Sequence, residues 1–256
     1  MRRLTVAMVA LWLATGLGCR KSPAPVEKSA PSKPVIRSLN ALDPATMGTM
    51  SGVVKFAGTP PASVRVDMSS DPGCGGGTSA EPVAVQDGKL ANVYVYVKSG
   101  PPAAMAFGES WMEPVVLDAK GCNFVPHVAA VMVGQRVEFR NDDAVTHAVR
   151  VTPHVAGNTA VDILEGPKSA GQVRTFRKPE SMMAMRCGRH GWMSGYLNVS
   201  PTPFFAVTGA DGKFELKGLP AGEYTLGFVQ EKMGERTVVV TVRPQAMATV
   251  DMTYSL

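Results

Sequence analysis

The chain opens on Arg2 and Arg3, followed by an apolar stretch from Leu4 to Gly18 that ends at Cys19. A basic start, an apolar run and small residues at its end predict an export signal, and the run falls short of the roughly 20 apolar residues that span a bilayer. Apolar periodicity then stops. Residues 20–48 hold five prolines among serines and alanines, a composition that predicts a tether with a reach of about 30 Å and not a domain. From Met50 onward apolar and polar positions alternate with period two, in short runs ended by Gly, Pro and Asp. Ser51–Phe56 and Ala91–Val97 are β-branched and aromatic runs that predict strands. Val131–Arg140, Ala148–Thr152, Met182–Arg186, Gly195–Val199, Lys213–Leu216, Tyr224–Val229 and Thr237–Val242 follow the same pattern. No window of a dozen residues carries a helical stripe. About ten short strands separated by turns predict an all-β sandwich or a pair of sandwiches.

Composition agrees with a packed, turn-rich body. Of 256 residues, 45 % are apolar and 18 % charged, and 26 glycines and 20 prolines cut helices short. The formal charge of +5 suggests nucleic acid or an anionic membrane only until the charges are located. Residues 38–256 hold 19 basic and 20 acidic side chains, so the body is neutral and nothing in it argues for a nucleic-acid partner. Four cysteines are too few for a disulfide scaffold.

The chemistry concentrates in Cys187-Gly188-Arg189-His190-Gly191-Trp192-Met193. A thiolate, an imidazole and a thioether at i, i+3 and i+6 form a soft donor set that suits copper. One loop cannot supply a trigonal site alone, and a second imidazole follows the strand Val137–Arg140 and the polar turn Asn141–Asp143, at His147. This arrangement resembles the cupredoxin pattern, in which "Phe-x-Asn-x-Asp" precedes the first histidine and a Cys–His–Met loop closes the site. The His190–Met193 spacing is similar to that of amicyanin. The resemblance implies His147, Cys187 and His190 as ligands, Met193 as the weak axial one, and one type 1 copper as cofactor. Ala148 stands where the family often has Asn, and Met185 and Met183 stand where aromatic residues are usual. With Met182, these methionines fill core gaps or handle Cu(I).

The segment Thr208–Leu226, with Asp211-Gly212 as a hairpin turn, Leu219 as an anchor and Pro220-Ala221-Gly222 as a second turn, resembles the second half of a carboxypeptidase regulatory-like domain. That family is a transthyretin-like sandwich. Gly52-Val53-Val54 and Ala91-Asn92-Val93-Tyr94-Val95 match its first half. Gly16-Leu17-Gly18-Cys19 resembles a bacterial lipobox, which implies lipidation of Cys19. The organisation expected is therefore a signal at 1–19, a tether at 20–48, a split regulatory-like sandwich at 50–105 and 201–256, and a cupredoxin Greek-key sandwich at 113–200. Insertions of this kind are tolerated at loop tips.

Cys74 and Cys122 remain once copper and lipid take the other two cysteines, and in an oxidising envelope they are expected as a disulfide. His127 is expected outside the ligand set, His154 exposed, and Asp142 and Asp143 turn formers. His190 is expected near the surface as the electron port, with Trp192 beside it in a small apolar patch. Arg186 and Arg189 would favour an acidic partner. No paired carboxylates or Ser/His/Asp set argue for an enzyme. The function expected is single-electron transfer between redox protein donor and acceptor, from the periplasmic side of the outer membrane through a lipid anchor. Copper storage or delivery, and an adhesion or polymer-binding module with structural copper, are the rivals.

Overall fold

The computed structural model describes residues 42–75, 77–80, 83–107 and 112–256. The signal segment with Cys19, and the tether as far as residue 41, lie outside the described residues. The end of the expected tether is ordered. A 3-10 turn at Pro44–Thr46, capped by the Asp43 carboxylate, runs directly into a strand at Met47–Phe56.

The described chain is almost all β, with twenty-one strands against one four-residue helix, Pro102–Met105. Two pairs of sheets enclose two cores. In the first pair, a four-stranded sheet runs in the order Gln172–Thr175, Arg136–Asn141, Val115–Ala119, Phe124–Val125. Its companion runs Val161–Glu165, His147–Thr152, Glu180–Cys187, Ser194–Ser200, Val128–Met132. Alternation turns Leu117, Val137 and Phe139 of one sheet toward Val149, Val151, Met183, Met185 and Leu197 of the other, as one buried cluster. In the second pair, Lys213–Pro220, Met47–Phe56, Lys89–Leu90 and Val85–Gln86 form one sheet, with Met247–Thr249 and Met252–Tyr254 parallel against Met47–Phe56. The other is Phe205–Val207, Tyr94–Ser99, Gly222–Gln230 and Gly234–Val242. Met50, Val54, Phe214, Leu226, Phe228 and Tyr254 lie in its core.

Three departures from the sequence expectation have local causes. Val131–Arg140 is two strands in opposing sheets, Val128–Met132 and Arg136–Asn141, because Gly134 at φ +79° turns the chain between them. Asp211-Gly212 makes no hairpin. It joins Phe205–Val207 to Lys213–Pro220, which sit in different sheets. The segment 50–105 does not belong wholly to the second core: Met68, 1 % exposed, is part of the first, with Val66 and Cys74 packed against it. The hairpin Val64–Val66 and Thr78–Ala80 flanks this excursion.

Candidate metal centre

Two antiparallel neighbours of the five-stranded sheet bring the site together. His147 begins one strand and Cys187 ends the other, with Val149 opposite Cys187. The following loop folds back on itself: the Met193 N–H donates to the His190 carbonyl at 3.0 Å and the Cys187 N–H to the Met193 carbonyl at 3.3 Å. The Gly188 N–H donates to the Ala148 carbonyl at 2.7 Å, which fastens this loop to the histidine strand. Met193 is buried within the first core.

Cys187 Sγ lies 3.8 Å from His147 Nδ1 and 3.7 Å from His190 Nδ1, and the two Nδ1 atoms are 3.0 Å apart. The residues are 6 %, 0 % and 3 % exposed respectively. Each imidazole turns its other nitrogen to a carboxylate: His147 Nε2 donates to Asp143 Oδ2 at 2.9 Å, and His190 Nε2 to Asp71 Oδ2 at 3.0 Å. A carboxylate accepts only, so each Nε2 carries a proton, and each Nδ1 is turned toward the sulfur, where it shares a proton with it or, once that proton leaves, offers a lone pair. With that proton gone, a thiolate and two bare nitrogens in a dry pocket are costly unless a cation sits among them. The triangle spans what an ion bonded at about 2.0 Å to nitrogen and about 2.3 Å to sulfur requires. The residues fit a metal.

The electrostatics agree. Burial alone would push the Cys187 thiol up. The hydrogen bond with His147 and the backbone around Arg189, Ala148 and His190 outweigh burial and hold it down at about 6. His147 is held above the usual imidazole value, because its bonds to Cys187 and Asp143 outweigh burial.

The supporting shell is built by Asn141, 1 % exposed. Its Nδ2 donates to the carbonyls of Val145, Glu165 and Gly166 at 2.8, 3.1 and 2.7 Å, and its Oδ1 accepts from the Asp143 N–H at 2.9 Å. Asp143 also accepts from the N–H groups of Gly121 and Cys122, at 2.7 and 2.9 Å. It is thus more than a turn former, and its place four residues before His147 was the available signal.

Cys74 and Cys122 are joined in a disulfide with Cα atoms 5.5 Å apart. This bond lays the turn Asp71–Gly75 over His190, so the expectation of a surface imidazole is corrected: His190 is 3 % exposed, with Cys74 Sγ 3.8 Å from its Nε2. Trp192 is half-buried, its ring 5.0 Å from that of His190 and its Nε1–H donating to the Cys122 carbonyl at 3.2 Å. Arg186 and Arg189 are exposed, Arg186 lying 5.6 Å over the Tyr196 ring. His127 is engaged elsewhere, with the Ser194 carbonyl and Glu231, and His154 is exposed. Met183 and Met185 are core residues and Met182 is half-buried. Asp71 is the participant that the sequence reading missed. Two further donor groups among the described residues, Asp71/Cys74/His190 and Cys122/Asp143/His147, depend on sulfurs that the disulfide occupies.

No family model matches the chain, and no curated protein matches it. Among solved structures the chain is similar to a copper-containing nitrite reductase from Thermus scotoductus, at 28 % identity and a TM-score of 0.31. That match covers 41 % of this chain and 27 % of the reductase, about a quarter of its length. An oxidised amicyanin variant matches at 22 % identity and a TM-score of 0.30, covering 41 % of this chain and 97 % of amicyanin. The Cu(I) form of another amicyanin variant matches at 24 % identity with the same coverage and a TM-score of 0.31.

Proposed function

We propose that this chain is a tethered carrier of single electrons, built around one type 1 copper ion held by His147, Cys187, His190 and Met193. The observation that carries the reading is the buried triangle of one thiolate and two Nδ1 atoms, closed by a loop that also buries a methionine. Two imidazoles, a thiolate and a weak thioether suit copper over its neighbours. When bound there, copper would supply a one-electron couple between Cu(I) and Cu(II).

The chain's own residues do the rest. Cys187 is held as a thiolate by its hydrogen bonds, so it is ready to ligate. Asn141 and the β-ladder hold the turn that carries His147, and the folded-back loop Cys187–Met193 holds His190, so little need move when charge changes. The burial of the donors keeps water out. Trp192, half-buried against His190, and the exposed Arg186 and Arg189 form the face through which a donor or acceptor of acidic surface would dock. The second sandwich is read as a regulatory-like host at 50–105 and 201–256, split around residues 113–200. The N-terminal segment is read as a lipoprotein signal that anchors the chain through Cys19 at the periplasmic side of the outer membrane.

The test is the visible spectrum of the copper-loaded, oxidised chain beside Cys187→Ser. An intense blue or green band that disappears in the variant supports the reading. A colourless wild type that binds Cu(I) replaces it with copper storage or delivery, and a wild type that binds no copper removes the metal reading altogether.

A further inference from the structure

Four consecutive residues over the site have separate tasks. Asp71 Oδ1 accepts from the Gly73 N–H at 3.1 Å and caps the 3-10 turn Pro72–Cys74. Pro72 stands at its first position, where a missing N–H costs nothing. Gly73 lets the backbone press on the loop before His147, since a Cβ there would lie 2.2 Å from Val145 Cγ1. Cys74 is bonded to Cys122, and Met68 anchors the start of the loop in the first core. The outcome is a contact across 119 residues, with Asp71 Oδ2 accepting from His190 Nε2 at 3.0 Å. The Asp71 side chain stays 27 % exposed while His190 is 3 % exposed.

We propose that Asp71 is a positioning residue for the metal centre: it holds the Nε2–H of His190, so that Nδ1 faces Cys187, and the Cys74–Cys122 disulfide fixes its carboxylate there. His147 takes its carboxylate from the same turn, at Asp143. The short stretch Gly188–Gly191 around His190 contains no acid, so one is delivered from a distant loop. An unpartnered imidazole can present either nitrogen, whereas a carboxylate on one fixes tautomer and orientation and raises the basicity of the other. A ring hydrogen-bonded to a fixed negative charge favours the more highly charged ion, so Asp71 favours Cu(II) over Cu(I). It also roofs the ring, so displacement of His190 by an outside ligand requires the loop to lift.

The electrochemical half of this proposal rests on the copper reading above; the tautomer half does not. The full chain is compared with Asp71→Ala, Asp71→Asn, Asp71→Glu and the double variant Cys74→Ser/Cys122→Ser. In the metal-free wild type, 15N NMR of the His190 ring is expected to show a proton on Nε2 and a bare Nδ1, with Asp71→Ala giving a mixture of tautomers. In the copper-loaded chain, Asp71→Ala is expected to weaken Cu(II) relative to Cu(I) about tenfold, which raises the reduction potential by about 59 mV. Asp71→Asn keeps an acceptor without charge and should show a smaller rise with the tautomer retained. Asp71→Glu should restore the potential toward wild type, and the disulfide-free chain should follow Asp71→Ala. A wild-type tautomer and potential in Asp71→Ala overturn the proposal, and a wild-type potential in the disulfide-free chain overturns the role of the staple. If the wild type binds no copper, the copper reading falls and the tautomer measurement alone decides on Asp71.

Discussion

The two sandwiches share an architecture but not the contents of their cores. The second is the more aromatic, with Phe56, Phe204, Phe214, Phe228, Tyr224 and Tyr254 buried among aliphatic residues and one methionine, Met50. The first has half as many rings, Phe124, Phe139 and Phe176, and four methionines, Met68, Met183, Met185 and Met193. Its buried polar groups include His147, His190, Asn141 and Glu165, and Asn141, His147 and His190 gather at the end where the ligand strands meet. Aromatic rings fill a fixed volume and specify one packing, whereas methionine adapts to an irregular wall. A core that must hold a donor triangle at one end needs the second property. The cost of burying those donors falls on the first sandwich, and the second is free to supply stability.

The largest effect that would break this division is a cavity in the aromatic core. Phe228 is fully buried and meets Phe214 edge-on, with ring centroids 5.5 Å apart. Phe228→Ala is expected to destabilise the chain by about 3–5 kcal/mol, measured by denaturant unfolding, and to leave the visible band of the copper-loaded protein unmoved. A shifted band would mean that the sandwiches are coupled. The candidate route is at hand, because the strand that carries Phe228 leads to Glu231, which pairs with His127 Nε2 at 3.4 Å.

A smaller effect sharpens the comparison from the other side. Cys187 is held near 6 in the metal-free chain, below the ordinary thiol range, about 8.5. A depressed thiol contributes stability that is complete above its unfolded value and fades as pH falls from about 8.5 toward 6. His147 is raised, so its contribution is complete below about 6.5 and is lost as pH rises through its folded value. The thiolate absorbance of the metal-free chain should therefore titrate with a midpoint near 6, and His147→Ala should move it up toward the ordinary thiol value. An ordinary thiol titration in the wild type would remove the preorganised thiolate from the account.

Much of this was legible because it is local. Alternation marks Glu180–Cys187 and His147–Thr152 as strands, and the spacing Cys187, His190, Met193 puts three donors in one turn. The corner at Gly134 was not legible as a change of sheet, since period two continues through it. Val115–Ala119, a central strand, has too little alternation to announce itself. Asp71 was illegible for a different reason. Asp-Pro-Gly before a cysteine reads as any turn, and nothing in it points to a histidine 119 residues away. The same contact explains why the short loop did not leave His190 exposed.

The smallest expected effect concerns the rim of the site. Arg189 is exposed, beside the buried His190. It lies close enough to Asp71 to help hold that carboxylate below its usual range, after the bonds from His190 and the Gly73 N–H. A rim charge alters encounter more than it alters the bound state. Arg189→Glu should therefore leave the band in place and slow oxidation of the reduced copper form by hexacyanoferrate, an anionic probe, roughly threefold at low salt. That is a fraction of the ten- to thousandfold that steering by a whole surface can reach. A cationic cobalt complex should respond in the opposite direction. Both differences should vanish near 1 M salt, where the screening length is about 3 Å. Equal rates for both probes at low salt would show that electrons do not leave by the Trp192 and Arg189 face. The roof over His190 would then be a barrier on that side of the site, and transfer would have to be sought through another face.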